Sequence, residues 1–211
     1  MKKFLLIVLV LFASSALFTA CDTTQHEGMN HGGMGGGMGG GGMMGGMQDK
    51  HASMWEGVTH AVAVLQPASG SNVKGTIQFD QMGDHVHVMG EVTGLAPNSS
   101  HGLHIHEFGD ASSADGAAAG GHYNPEGAAH QHGEINHDNV HAGDMGNITA
   151  DANGVAKVDI HLQGVSIAGM KDPIIGRGVV VHANPDDLKT QPAGNAGPRV
   201  AVGVIGVKKN P

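Results

Sequence analysis

From Gly57 onward the chain breaks into short runs in which apolar residues alternate with polar ones or cluster in fours and fives. The runs are "THAVAVL" (59–65), "VKGTIQFDQ" (73–81), "HVHVMGEVTGL" (85–95), "HGLHIHEF" (101–108), "AKVDIHL" (156–162), "RGVVVHA" (177–183) and "RVAVGVIGV" (199–207). Alternation with a period of two predicts half-buried strands, and Gly, Pro or Asn punctuates nearly every junction. No amphipathic helix and no internal repeat is evident, so regularly spaced short strands predict an all-β antiparallel sandwich or barrel. Two segments, Gly109 to about Asn147 and Ala183 to Pro198, carry no strand pattern. Loops of that length in a compact domain are functional or disordered, and loops on a rigid β scaffold are where sites are built.

The first 56 residues obey another pattern. Lys2 and Lys3, an apolar run from Phe4 to Phe12 and small residues up to Cys21 read as a signal peptide over residues 1–20, too short for a committed membrane span. Thr19-Ala20-Cys21 resembles a bacterial lipobox, with Phe18 where leucine is usual. Cys21 is then the lipidated N-terminus of an exported protein facing the periplasm or the cell exterior; the alternative is an ordinary cleaved signal with an incidental cysteine. Between Gly28 and Gly46 glycine fills 12 of 19 positions. Such a stretch cannot bury a core, so residues 21–56 are expected to form a flexible tether with a reach of roughly 30–35 Å. Its methionines with His26, His31 and His51 permit a second role, loose copper capture.

Composition narrows the choice for residues 57–211. Over the whole chain, thirty-six glycines and 3% aromatic residues argue against a helical bundle. Loss of the leader removes two lysines, leaving nine cations against nineteen acids, a net charge of −10 with histidines neutral. No basic stretch interrupts this acidity, which argues against nucleic-acid binding. Sixteen histidines in 211 residues draw attention to where they stand, because histidine is the commonest metal ligand.

On a strand, residues i and i+2 share a face, so His104 and His106 present their rings together while Leu103 and Ile105 point the other way. The spacing alone proves little: His85 and His87 share it, with no other histidine or acid cluster following closely, and read as a solvent-facing strand edge. What distinguishes 104 and 106 is the remaining set. The long loop supplies His122, His130, His132, His141 and Asp144, and a later strand ends at His182. Three or four imidazoles with open access suit copper, whereas three imidazoles and a carboxylate close a tetrahedral zinc site.

"HGLHIHEFGD", "GGHYNP", "HAGDMGNITAD", "IIGRGVVVH", "DDL" and "GNAGPRVAVGVIG", in that order, resemble the copper/zinc superoxide dismutase family along about residues 59–207. The resemblance implies an eight-stranded Greek-key β-barrel, an immunoglobulin-like sandwich with two long functional loops, that dismutates superoxide to O2 and H2O2. It implies copper on His104, His106, His122 and His182, and zinc on His122, His141, Asp144 and either His130 or His132. The His132-Gly133 pair favours His132, with His137 and the unchosen histidine left solvated. The resemblance further gives Asp186 as a carboxylate bridging a copper ligand and a zinc ligand, and His122 and Arg199 as the catalytic residues, Arg199 guiding the substrate. It assigns His101 and Arg177 to bracing the loops, and Gly102 and Gly109 to crowded backbone. A homodimer is allowed by it and not required. The alternative reading is a non-catalytic copper-buffering protein on the same fold.

One departure stands out. The family joins its long loop to the last strand by a disulfide, and the matching positions here are approximately Gly116 and Val202, with Cys21 the sole cysteine. Loss of such a bond from a small exported domain costs about 2–5 kcal/mol. Metal binding is therefore expected to carry more of the stability.

Overall fold

Each predicted run becomes a strand in the computed structural model, which describes residues 57–169 and 171–210; the expected signal peptide, Cys21 and the tether lie outside the described residues. The strands are β1 (His60–Pro67), β2 (Lys74–Met82), β3 (His85–Thr93), β4 (Ser100–His106), β5 (Asp144–Thr149), β6 (Ala156–Gln163), β7 (Gly178–His182), β8 (Arg199–Val204) and β9 (Gly206–Val207). All pair antiparallel, in the order β5-β4-β7-β8-β1-β2-β3-β6, with the two-residue β9 added beside β1. The first and last strands of that order are consecutive in the chain, and an Ala150–Ala156 bridge joins their ends, so the sheet curls into a nearly closed eight-stranded barrel. Closure leaves few bare strand edges.

Alternation places the core. Ala61, Ala63 and Leu65 of β1, Ile77 and Phe79 of β2, Val86 and Val88 of β3, and Leu103 and Ile105 of β4 are fully buried inside the barrel, while their neighbours face outward. In β7 every residue is buried. Val179 and Val181 enter the barrel core, and Val180 joins Ala68, Ala119 and Val202 in a small cluster under the long loop. That arrangement explains why "VVV" shows no alternation: both faces are covered.

β5 begins inside a segment expected to be irregular. "DMGNIT" has no clean alternation because its pairing to β4 is bulged: Gly102 faces Asn147 but His104 faces Asp144, so Met145 and Gly146 together oppose Leu103. Gly146 adopts φ 74°, a left-handed conformation that glycine takes without strain. The extra residue reverses the facing of the strand, so Met145 and Ile148 enter the core while Asp144 points to the outer side of β4. A strand read by period two alone hides this element.

The long loop, residues 107–143, lies against that outer side. Tyr123 N–H donates to Ile105 O at 2.8 Å, Ile105 N–H to Gly143 O at 2.8 Å and Glu107 N–H to Gly121 O at 3.0 Å. The second loop, residues 183–198, folds back on itself through Ala183 N–H to Pro198 O and Asn184 N–H to Ala196 O. Gln191 pins the two loops together, accepting from His132 N–H at 2.9 Å and donating to His132 O at 2.8 Å.

Candidate metal centre

His104 and His106 leave the outer side of β4, His182 ends β7 directly beside β4, and His122 enters from the long loop through an isolated bridge to His106. All four are buried, and one ring nitrogen from each lies within 4.8 Å of the others. The opposite nitrogens are already engaged. His104 Nε2–H donates to Asp186 Oδ2 at 2.7 Å, His106 Nδ1–H to Gly120 O at 2.9 Å and His182 Nδ1–H to Gly197 O at 3.0 Å. These bonds fix each tautomer so that the inward nitrogen carries a lone pair. His106 Nε2 and His182 Nε2 face each other at 3.3 Å, close enough to act on one cation.

A second cluster shares His122. Its Nδ1 lies 2.7 Å from Asp144 Oδ1, while His132 Nδ1 and His141 Nδ1 lie 3.1 and 3.7 Å from the same oxygen. His122, His132, His141 and Asp144 are all buried and form one group of ligand atoms. His130 stands outside it, as does the exposed His137, which pairs with Glu134. Asp186 spans the two clusters: Oδ2 takes the His104 ring and Oδ1 takes His132 Nε2–H at 2.8 Å.

The donor set fits copper and zinc. Among the described residues, the buried polar side-chain atoms without a hydrogen-bond partner include His104 Nδ1, His122 Nε2, His132 Nδ1 and His141 Nδ1. Orphaned buried nitrogens are costly unless something accepts their lone pairs, and here they point into the two clusters. Four imidazoles make a soft nitrogen site for copper; three imidazoles with a carboxylate make a closed zinc site.

Protonation follows burial. Burial pushes His106 down to about 2, His182 to about 3 and His122 to about 4, in the last case against the pull of Asp144, so all three rings are neutral and ready to ligate at neutral pH. Burial also acts downward on His132, but Asp144 and Asp186 outweigh it and raise that ring to about 9. Burial would raise both carboxyls, yet hydrogen bonds from the surrounding imidazoles hold Asp144 and Asp186 well below the usual carboxylate range.

Arg199 opens β8 opposite His182, and its guanidinium donates to Gly116 O and Gly120 O of the long loop. Gly120 O also holds His106, so one carbonyl links the arginine to a ring of the first cluster. At the two positions that the resemblance matches to a disulfide, Gly116 packs on Val202; a Cβ on Gly116 would approach Val202 Cγ2 to 2.7 Å. The loop is thus held by close backbone packing and by Arg199 in place of a covalent bond. His101 braces the other end, with Nδ1–H on His182 O at 2.8 Å and Nε2 accepting from Ser99 Oγ at 2.6 Å. Arg177 donates to Glu107 O at 2.6 Å and lies over the Tyr123 ring. Gly102 and Gly109 are both crowded by neighbouring atoms, as expected.

Three supporting residues escape sequence reasoning. Asn147 brackets the Asp186 backbone, donating to its carbonyl at 2.9 Å and accepting from its N–H at 2.7 Å. Gln191 clips the His132 backbone. Gly194 lies so close to the Asp186–His132 pair that a Cβ would overlap Asp186 Oδ1. The facing reversal at Gly146 makes Asn147 a neighbour of the centre, and no local pattern announces the other two.

Comparison with known proteins agrees with this geometry. Residues 73–205 match the model of the family described as copper/zinc superoxide dismutase (SODC). Superoxide dismutase [Cu-Zn] 3 of Arabidopsis thaliana is 42% identical over 161 residues, 73% of this chain and 94% of the relative. The crystal structure of the clock protein EA4 superposes with a TM-score of 0.64 at 40% identity, covering 71% of this chain and 95% of that one. A barrel of this strand order with adjoining four-ligand clusters and matches of this extent leave one assignment: the chain belongs to the copper/zinc superoxide dismutase family.

Proposed function

We propose that copper is held by His104, His106, His122 and His182, zinc by His122, His132, His141 and Asp144, and that the exported, lipid-anchored protein disposes of superoxide with this pair. The family is one of oxidoreductases using copper and zinc, and superoxide is its substrate. The observation carrying the reading is His122, the one ring common to both clusters. When bound, copper supplies one-electron oxidation of one superoxide and one-electron reduction of a second, and zinc supplies a fixed positive charge. The balance is two superoxide ions and two protons to O2 and H2O2. His122 Nε2, buried and without a protein partner, is the atom at which a proton is taken up and returned. Zinc, which His122, His132, His141 and Asp144 would hold, would supply the positive charge that leaves this nitrogen acidic enough to exchange its proton.

Arg199 attracts and orients the anion. In a chain of net charge −8 before leader removal, capture of a small anion depends on local field rather than total charge. A copper-buffering role on the same fold requires neither an arginine beside His182 nor a carboxylate tying the two clusters together. In protein loaded with both metals, Arg199→Ala is expected to lower kcat/KM for superoxide about tenfold or more, with metal content unchanged and a weaker dependence on ionic strength. Absence of dismutation in protein shown to hold both metals would overturn the enzymatic reading; an unaltered rate in the variant would remove only the guiding role. The anchor is tested separately: Cys21→Ser is expected to abolish incorporation of labelled palmitate in a bacterial host and release the protein from membranes, and unchanged labelling excludes lipidation at Cys21.

A further inference from the structure

We propose that the outer face of β3 and β6 carries a separate site for a divalent transition ion, held by His87, His161 and Asp159 with His85 alongside. His85 and His87 do not form a strand edge: β3 is paired on both sides, to β2 and to β6. The register places His161 directly across from His87, and Asp159 two residues before it on the same face. The His87 and His161 rings stack at 4.5 Å with planes 2° apart, and the His85 ring lies 5.1 Å from His161. His87 Nε2 is 2.7 Å from Asp159 Oδ1. One ligand atom from each of His87, His161 and Asp159 lies within 4.8 Å of the others.

This cluster shares no residue with the paired centre, which is built on β4, β5, β7 and the two loops. Val86 and Val88 anchor β3 in the core, whereas His85 and His87 keep 30% and 24% of their side-chain surface open, enough for a hydrated ion to reach them. Small χ rotations of outward-facing rings bring nitrogens to metal–imidazole bond lengths of about 2.0–2.1 Å. The local field favours a cation. Asp80 stands opposite His87 on β2, itself hydrogen-bonded to His60 at 2.7 Å, so a row of His60, Asp80, His87 and His161 crosses four strands. Two cations on the face are themselves engaged: Lys157 is opposite Glu91, and Lys208 bonds Gln78. Two or three imidazoles and one carboxylate, with remaining positions left to water, make a site for imidazole-seeking divalent ions, Cu2+ binding most tightly. The ion takes the place of the His87–Asp159 hydrogen bond.

The test adds Cu2+, up to five equivalents, to full-length protein whose paired centre is already filled with copper and zinc, and follows backbone amides by NMR. Paramagnetic broadening is expected first at residues 85–89 and 159–161. The double variant His87→Gln with His161→Gln is expected to need on the order of a hundredfold more Cu2+ for the same broadening, since loss of even a supporting group costs ten- to a hundredfold. Its dismutation rate is expected to equal the parent's, because neither residue approaches the paired centre. Sharp amides at these positions in the parent, or equal broadening in the double variant, overturn the proposal.

Discussion

Removal of both metals is expected to lower the melting temperature by more than about 15 °C, with zinc alone restoring the larger share. Metal bound only to the folded state contributes about 4 kcal/mol per site at a thousandfold excess over Kd, and each kcal/mol moves Tm by about 2–4 °C in a domain of this size. The long loop makes the dependence acute. It carries His122, His132 and His141, no cysteine stands at Gly116 or Val202 to tie it covalently, and its other ties are hydrogen bonds such as those from Arg199 and Arg177. Zinc on the proposed ligands would tie the loop to the start of β5 at Asp144, a second closure in addition to the packing of Gly116 on β8. The metal-free protein should also be sensitive to acid. His122, His182 and His106 have folded-state pKa values depressed below the ordinary 6.5, so their neutral forms favour folding above 6.5 and that contribution is lost as pH falls toward about 4, 3 and 2 respectively. His132 is raised to about 9, so its contribution is fully present below 6.5 and lost as pH rises through 9. Stability of the metal-free form should therefore peak near neutrality and fall steeply on the acid side, where three rings act together. Calorimetry of the chelated and reloaded protein between pH 4 and 9 checks both statements; a Tm unchanged within about 5 °C on metal removal would refute the first.

How far this structure is legible in the sequence depends on how local each signal is. Strands β1 to β4, β6 and β8 follow from alternation because one face of each packs into the barrel and the sequence writes that face every second residue, whereas β7 shows as an unbroken apolar run covered on both faces. β5 is hidden by its bulge, whose inserted residue breaks the period that would reveal it. The run 199–207 divides into β8 and β9 because Ile205 turns aside to pair its backbone with Gly176 and Arg177, a tertiary event with no local mark. In the site, spacing could single out His104 and His106 but could not separate them from His85 and His87; both pairs prove to have partners, from loops and β7 in one case and from β6 in the other. Between His130 and His132, it is His132 that lies in the second group of ligand atoms, its ring bonded to Asp186, 54 residues further along. Long-range contacts of this kind are invisible to periodicity.

Asp186 is also where the largest effect of a single near-isosteric change is expected. Its two oxygens accept from His104 Nε2–H and His132 Nε2–H at 2.7 and 2.8 Å, and so hold both rings with Nδ1 free to ligate. An asparagine in its place cannot reproduce this: an amide offers one acceptor oxygen, and its NH2 would face the N–H of the second ring. Relief comes from moving that ring's proton to Nδ1, the atom aimed at the metal, so Asp186→Asn attacks ligation without opening a cavity. Zinc affinity is expected to fall ten- to a hundredfold, with loss of dismutation under limiting metal and recovery in excess zinc and copper. Gly194→Ala should act on the same pair by another route, because its Cβ would displace the carboxylate from His132 while leaving the charge in place. A purely structural role for Asp186 predicts lower Tm with unchanged affinity of the folded protein. Chelator competition on the two variants separates these cases: zinc affinity within twofold of the parent in Asp186→Asn would show that the bridge does not orient the ligands, and Gly194→Ala weakening zinc while Asp186→Asn does not would assign the effect to packing alone.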